Sequence, residues 1–210
     1  MIELFTSAFL TLLVVVDPPG CAPIFASLTS GTDAAHRRAM AIRSTLVAWF
    51  ILLFFALLGQ PLLARMGISL SAFRLAGGIM LFIIALEMVF EKRTERREER
   101  AEEIKGTPEA EDISVFPMAI PMIAGPGSIA SIMLLNARAD GLQQTLVVLG
   151  AMSAVLLLTL LALLAAGPLM RFIGAKLEAM ITRILGVILA ALATQFVLDG
   201  LERSLPGLAG

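Results

Sequence analysis

Val14-Val15-Val16-Asp17-Pro18-Pro19-Gly20-Cys21 breaks an apolar run long enough to cross a bilayer, and Ile123-Ala124-Gly125-Pro126-Gly127-Ser128 breaks another. Each cluster stops a helix where a helix should continue. In hydrocarbon, freed N–H and C=O groups are tolerated only against other protein or a water-filled cavity. A segment that merely anchors a chain in lipid gains nothing from broken backbone at its centre, so these two clusters point to a path through the membrane.

Composition agrees. Of 210 residues 58% are hydrophobic and only 16% charged, and the mean hydropathy is +0.90, outside the range of ordinary soluble domains. The net charge of −1 implies neither a nucleic-acid nor an acidic partner. The single cysteine, Cys21, excludes a disulfide within the chain. Glu3 stands where a secretory signal would carry basic residues, so the first apolar run is expected to be retained.

Apolar spans are expected near 4–29, 40–63, 72–90, 114–136, 142–168 and 179–199, each about the ~20 residues that cross a bilayer. Good N-cap types precede three of them: Thr32 and Asp33, Ser69 and Ser71, Asp112 and Ser114. The polar segment 91–112, with Arg93, Arg96, Arg97 and Arg100 among many glutamates, reads as a solvated extension of the third helix. A flexible connector around Gly106-Thr107-Pro108 follows it. Ion pairs on such a surface contribute only ~0.3–0.5 kcal/mol each; a regulatory or partner-binding role is the alternative. Twelve Lys and Arg residues fall on the side of loops 1–2, 3–4 and 5–6, against Arg65, Arg74, Arg138 and Arg203 on the other. That bias places both termini away from the cytoplasm of a plasma (inner) membrane.

The two halves resemble each other. Pro19-Gly20 lies 107 residues before Pro126-Gly127, Pro61 lies 107 before Pro168, and Arg74-x-x-Gly77 lies 109 before Arg183-x-x-Gly186. Three spans per half, an odd number, invert the second half relative to the first. The expected fold is therefore an all-α membrane protein of six transmembrane helices in two inverted three-helix repeats, with the first and fourth helices interrupted mid-membrane. The first repeat covers 1–90, a charged cytoplasmic connector 91–112 and the second repeat 113–210. Interrupted helices at matching positions of inverted repeats mark the binding site of secondary transporters.

At 1.5 Å per residue both breaks lie ~20 Å into their spans, close to the bilayer centre. The half-helices after the breaks would then present free amides of Gly20, Cys21, Gly127, Ser128 and Ile129 to an anion. Pro18, Pro19 and Pro126 break the helices, and Pro19 and Pro126 suit a first helical turn, where a missing N–H costs nothing. Gly20, Gly125 and Gly127 permit close backbone approach. Asp17 adds the opposite sign, and its repeat counterpart is Ala124. A carboxylate at mid-membrane costs ~2.5–3.5 kcal/mol or more and is a functional candidate by default. The pattern suits a small zwitterion: carboxylate on the amides after Pro126, ammonium on Asp17 and on the carbonyls of Val16 and Ala124. The alternative is that Asp17 only caps its own half-helix.

Ser128 and Ser131 offer hydroxyls to a substrate or pack between helices. Thr194 and Gln195 in the sixth span either line the cavity or bond across helices. Arg74 and Arg183 read as snorkelling residues, Glu87 and Asp199 as interfacial, His36 as solvated, and Cys21 as an apolar filler. Pro117 and Pro121 kink the fourth span.

Six spans, the Asp-Pro-x-Gly-x-x-Pro pattern of 17–23 followed by Ile24-Phe25, Ala-Gly-Pro-Gly-Ser at 124–128 and a charged 3–4 loop together resemble the MarC family of inner-membrane proteins. The resemblance covers nearly the whole chain. It implies a plasma-membrane protein akin to transporters of small neutral amino acids and to the lysine-exporter superfamily. The family pattern often has Asn at position 21, so Cys21 departs from it.

The leading reading is a secondary carrier of small neutral amino acids or similar zwitterions, coupled to H⁺ or Na⁺. An inorganic-ion carrier or channel is the runner-up, although one carboxylate is few for a cation such as Ca²⁺, which takes 6–8 oxygens. A membrane subunit without transport activity is the third. No metal site and no cofactor are expected, and no nucleophile-and-base constellation or phosphate loop suggests an enzyme. The partners expected are the lipid bilayer and a small-molecule substrate, with a homo-oligomer left open.

Overall fold

The computed structural model describes residues 1–104 and 112–204, and within them the apolar runs are helical, so most of their backbone hydrogen bonds close within the run, as lipid demands. The helices are α1 (Ile2–Val16), α2 (Pro18–Leu28), α3 (Ala34–Arg65), α4 (Leu70–Val89), α5 (Lys92–Ile104), α6 (Pro126–Asn136), α7 (Gly141–Leu164) and α8 (Ala166–Ser204). Between α5 and α6, Ser114–Ile123 winds in wide, π-type turns. Five stretches of described residues are long and apolar enough to cross a membrane: 2–28, 34–65, 70–89, 141–164 and 176–204. A sixth forms if Ser114–Ile123 and Pro126–Asn136, bent by 55° at their junction, count together.

Two of the three caps fall where the sequence places them. Asp33 accepts from the amides of Ala35 and His36 and Ser69 from that of Ala72, each satisfying donors that a helix start leaves open; at the fourth span the cap position falls on Ile113, which has no side-chain cap, and Asp112 beside it accepts from the Ser114 amide. In the fourth span Phe116 and Ile120 adopt extended backbone, because each precedes a proline and the ring disfavours the helical region there. The fifth span ends at Leu164, short of 168. Helix α8 turns at Gly174 (φ 70°) before its apolar part begins at Lys176.

The broken first span is the interior of the molecule: 72% of its apolar window is buried, against 28–39% for the other four. Ala8, Leu12, Phe25, Met40, Leu52 and Ile132 form one core around it with α3 and α7. Val14, Leu81, Leu134, Leu189 and Ala193 form a second, where α4 packs against α8. That pairing is antiparallel and close. A β-carbon on Gly78 would meet Ala193 and Val197, one on Gly186 would meet Ala85 and Met88, and one on Gly200 would meet Ser71 and Leu75. Outward side chains such as Phe50, Phe54, Leu157, Leu161, Ile184 and Val187 are exposed, the surface a bilayer would cover.

One expectation fails. The polar segment does not prolong the third span, because the helix ends at Val89 and the chain turns through Phe90 and a left-handed residue, Glu91 (φ 63°), before α5 begins. Along α5, Arg93, Arg97 and Ala101 recur every fourth residue on one face. Arg97 and Ala101 are buried, while Glu98, Glu99 and Glu102 face outward. The helix folds back onto the broken spans instead of standing in solvent. The connector around 106–108 lies outside the described residues.

Candidate functional site

The first break is a single residue. Asp17 takes the left-handed conformation (φ 58°, ψ 66°), ending α1 and opening α2 at once. Aspartate is one of the few side chains that tolerate that conformation, and the proline after it removes the alternative of continuing the helix. Its Oδ1 accepts from the Gly20 amide at 3.2 Å, and its carbonyl accepts from the Cys21 amide at 3.1 Å. These two amides, expected to be free, are thus occupied. Oδ2 is paired with the Arg97 guanidinium at 3.1 Å, and the Asp17 carboxylate is 1% exposed.

The carbonyl end of the same break is also satisfied by α5. Arg93 donates to the Val15 carbonyl at 2.8 Å and to the Met88 sulfur at 3.0 Å. A cation at a helix C-terminus meets the negative pole of the helix dipole. Desolvation of Arg93, with the like charge of Arg97 beside it, lowers its pKa to about 10, so it stays cationic at neutral pH. Cys21 is buried and directs its thiol to the Val16 carbonyl, consistent with a filler.

The second break is finished differently. Ala124 donates its amide back to Ala119, and Ser128 donates its hydroxyl to the Ile123 carbonyl at 2.7 Å. The Ile129 amide, expected to be free, bonds to the Gly125 carbonyl. No side chain caps the N-terminus of α6. Where Asp17 closes the amide end of the first break, Ala124 has nothing to offer at the second.

A cavity of about 330 Å³ opens onto that uncapped end, its walls including Gly125, Pro126, Gly127 and Ser128. Val15 reaches it from the first break, and a β-carbon on Gly127 would lie 3.3 Å from the Val15 side chain. Val15, two residues before the first break, thus borders the space at the second, whereas Asp17, Gly20, Cys21, Ala124 and Ser131 are not among the residues that line it. Arg93, Arg96, Arg97 and Glu87 complete the wall, with Arg96 held by Glu87 at 2.6 and 3.1 Å. Glu87, expected at an interface, stands near the end of α4 and also lines this cavity.

Sequence reasoning missed the arginines. Their four-residue spacing with Ala101 was the available signal, but in a segment dense in charge one alanine does not identify a buried face. Ser131 is fully buried and its hydroxyl has no partner among the described residues. Thr194 and Gln195 are not brought to the cavity: Thr194 bonds back to the Ala190 carbonyl, Gln195 bonds to Asp199, and both are exposed. Asp199 also pairs with Arg138, whose guanidinium lies over the Phe196 ring.

Helices throughout the described residues, five or six of them long and apolar enough to cross a membrane, define an integral membrane protein of polytopic type. Residues 2–205 match the family described as MarC family integral membrane protein, and the chain belongs to that family. It is 36% identical over 206 residues to a UPF0056 membrane protein of Archaeoglobus fulgidus, covering 97% of this chain and 95% of the relative. It is 35% identical over 206 residues to the UPF0056 membrane protein YvbG of Bacillus subtilis, covering 98% of each. To the UPF0056 inner membrane protein YhgN of Escherichia coli it is 33% identical, over 96% of this chain and 98% of that protein. No solved structure matches it.

Proposed function

We propose that this protein is a secondary transporter of small neutral amino acids or similar small zwitterions, working by alternating access around its two broken helices in a plasma (inner) membrane. One observation carries the reading: a single cavity joins an uncapped helix N-terminus at 125–128 to the arginine that covers Asp17. The α6 amides would take a carboxylate. Asp17, once released by Arg97, would take an ammonium. The site is then a dipole of fixed sense, and a zwitterion is its complement.

The α4–α8 contacts support an inverted repeat of 1–90 and 113–210 about the connector 91–112. Adding ~109 to Gly78 and subtracting it from its partners Ala193 and Val197 lands close to Gly186 and its partners Ala85 and Met88, as a two-fold axis in the membrane plane requires. The pairing of Glu91 with Arg183 and the placing of Asp199 within electrostatic reach of Arg74 follow the same relation. Against it, Pro61 stays inside α3 while Pro168 lies past the end of α7. An inorganic-cation site is disfavoured because Asp17 is matched by a guanidinium and a backbone amide, not by further oxygens.

The test is uptake of labelled glycine or alanine by protein in liposomes under an H⁺ or a Na⁺ gradient, with Asp17→Ala inactive. Metal-ion flux without uptake of any small amino acid under either gradient would overturn the reading.

A further inference from the structure

We propose that Arg97 is a built-in competitor for the cationic group of the transported molecule, and that α5, which carries it, is the gate of the cavity. The proposal rests on the zwitterion reading and adds its regulation. The Arg97 guanidinium occupies Oδ2 of Asp17, the place a substrate ammonium would take. A buried carboxylate that stays ionised needs a cation, so ionised Asp17 has two complete states: Arg97 docked, or Arg97 displaced by a ligand that brings its own positive charge.

The way α5 is held suits exchange. Its seat is polar: Arg97 on Asp17, Arg93 on the Val15 carbonyl and Arg96 on Glu87, with Ala101 the one buried apolar side chain among its described residues. Water or a ligand can replace contacts of that kind, whereas an apolar seat would hold the helix shut. Two of these contacts, those of Arg97 and of Arg93, are to groups at the first break, so docking reports directly on the state of that break. The hinge is at Glu91, a left-handed non-glycine residue between two helices, and Arg183 of α8 grips its carboxylate. Release would thus swing α5 about a fixed point. A ligand lacking a cation cannot displace Arg97, which makes this residue a determinant of specificity as well as of access.

The test is limited trypsin digestion of the whole protein in nanodiscs, scored at Lys92, Arg93, Arg96 and Arg97. Cleavage of a docked helix requires its release, so its rate follows the open population. Asp17→Asn is expected to cut at least about tenfold faster than wild type, the factor lost with one charge-assisted hydrogen bond. The Asp17→Asn/Arg97→Gln double variant, which leaves no unpaired charge, is expected to be fast as well. Arg74, buried within α4, should remain uncut in both, which separates release of α5 from unfolding. Wild type is expected to cut faster with saturating glycine and not with N-acetylglycine. Wild-type rates in both variants would overturn the gate even if glycine is transported. Faster cutting in the variants without any response to glycine would leave the gate standing and remove the zwitterion.

Discussion

Oδ2 of Asp17 lies 3.1 Å from the Arg97 guanidinium, eighty residues along the chain, and the pair is nearly withdrawn from solvent. It ties the only residue between α1 and α2 to a helix that composition alone would leave in water. The break, the connector helix and the cavity are therefore one unit, and perturbing any of them should be felt by the others.

Removing one partner of a buried ion pair costs ~3–5 kcal/mol, because the other charge is stranded. Asp17→Asn and Arg97→Gln should each lower thermal stability in detergent, and the double variant should lose less than the sum of the two. Strict additivity of the midpoints would show that the pair is not coupled.

Gly20 sits against the same pair. A β-carbon there would lie 2.2 Å from Oδ2 of Asp17 and 3.0 Å from Arg97, so Gly20→Ala should separate the two charges and abolish uptake. Gly150 on α7 faces open space, and Gly150→Ala should leave uptake unchanged and raise stability by up to ~1 kcal/mol, the gain from replacing glycine inside a helix. Equal behaviour of the two variants, measured as uptake and unfolding midpoint, would contradict the geometry of the first break.

Ser128 lines the cavity and satisfies the Ile123 carbonyl, so Ser128→Ala should cost ~1 kcal/mol of stability and weaken substrate binding. Thr194 and Gln195 are turned elsewhere. Thr194→Ala and Gln195→Ala should keep uptake within about twofold of wild type, as for surface substitutions without buried partners. Concentration-dependent uptake by the three variants decides between the sites.

The charge bias predicts that both termini face away from the cytoplasm. A reporter fused to the C-terminus that is active only in the cytoplasm should be silent, and one active only outside should be bright. The reverse pattern would invert the whole assignment.

Much of the fold was legible because lipid leaves the backbone few choices. The apolar runs, the caps at Asp33 and Ser69 and the breaks at Asp17 and Gly125 are local consequences of side-chain chemistry. The site was legible in part. Gly125, Gly127 and Ser128 line the cavity, whereas Asp17 is buried behind Arg97 and does not line it. Thr194 and Gln195 were chosen for polarity within a span, but rotation about the helix axis, set by how α8 packs on α4, turns them outward. Arg93 and Arg97 were passed over because their neighbours are charged too, and polarity alone does not say which face of a helix is covered.

The sequence by itself determined where helices run and where they break, since hydrophobicity, proline and glycine act through the nearest few residues. Only the tertiary structure decided which charges meet. Whether Asp17 is answered by a ligand or by Arg97 depends on a helix folding back across eighty residues of chain. That is a balance of desolvation and pairing to which no local pattern is sensitive.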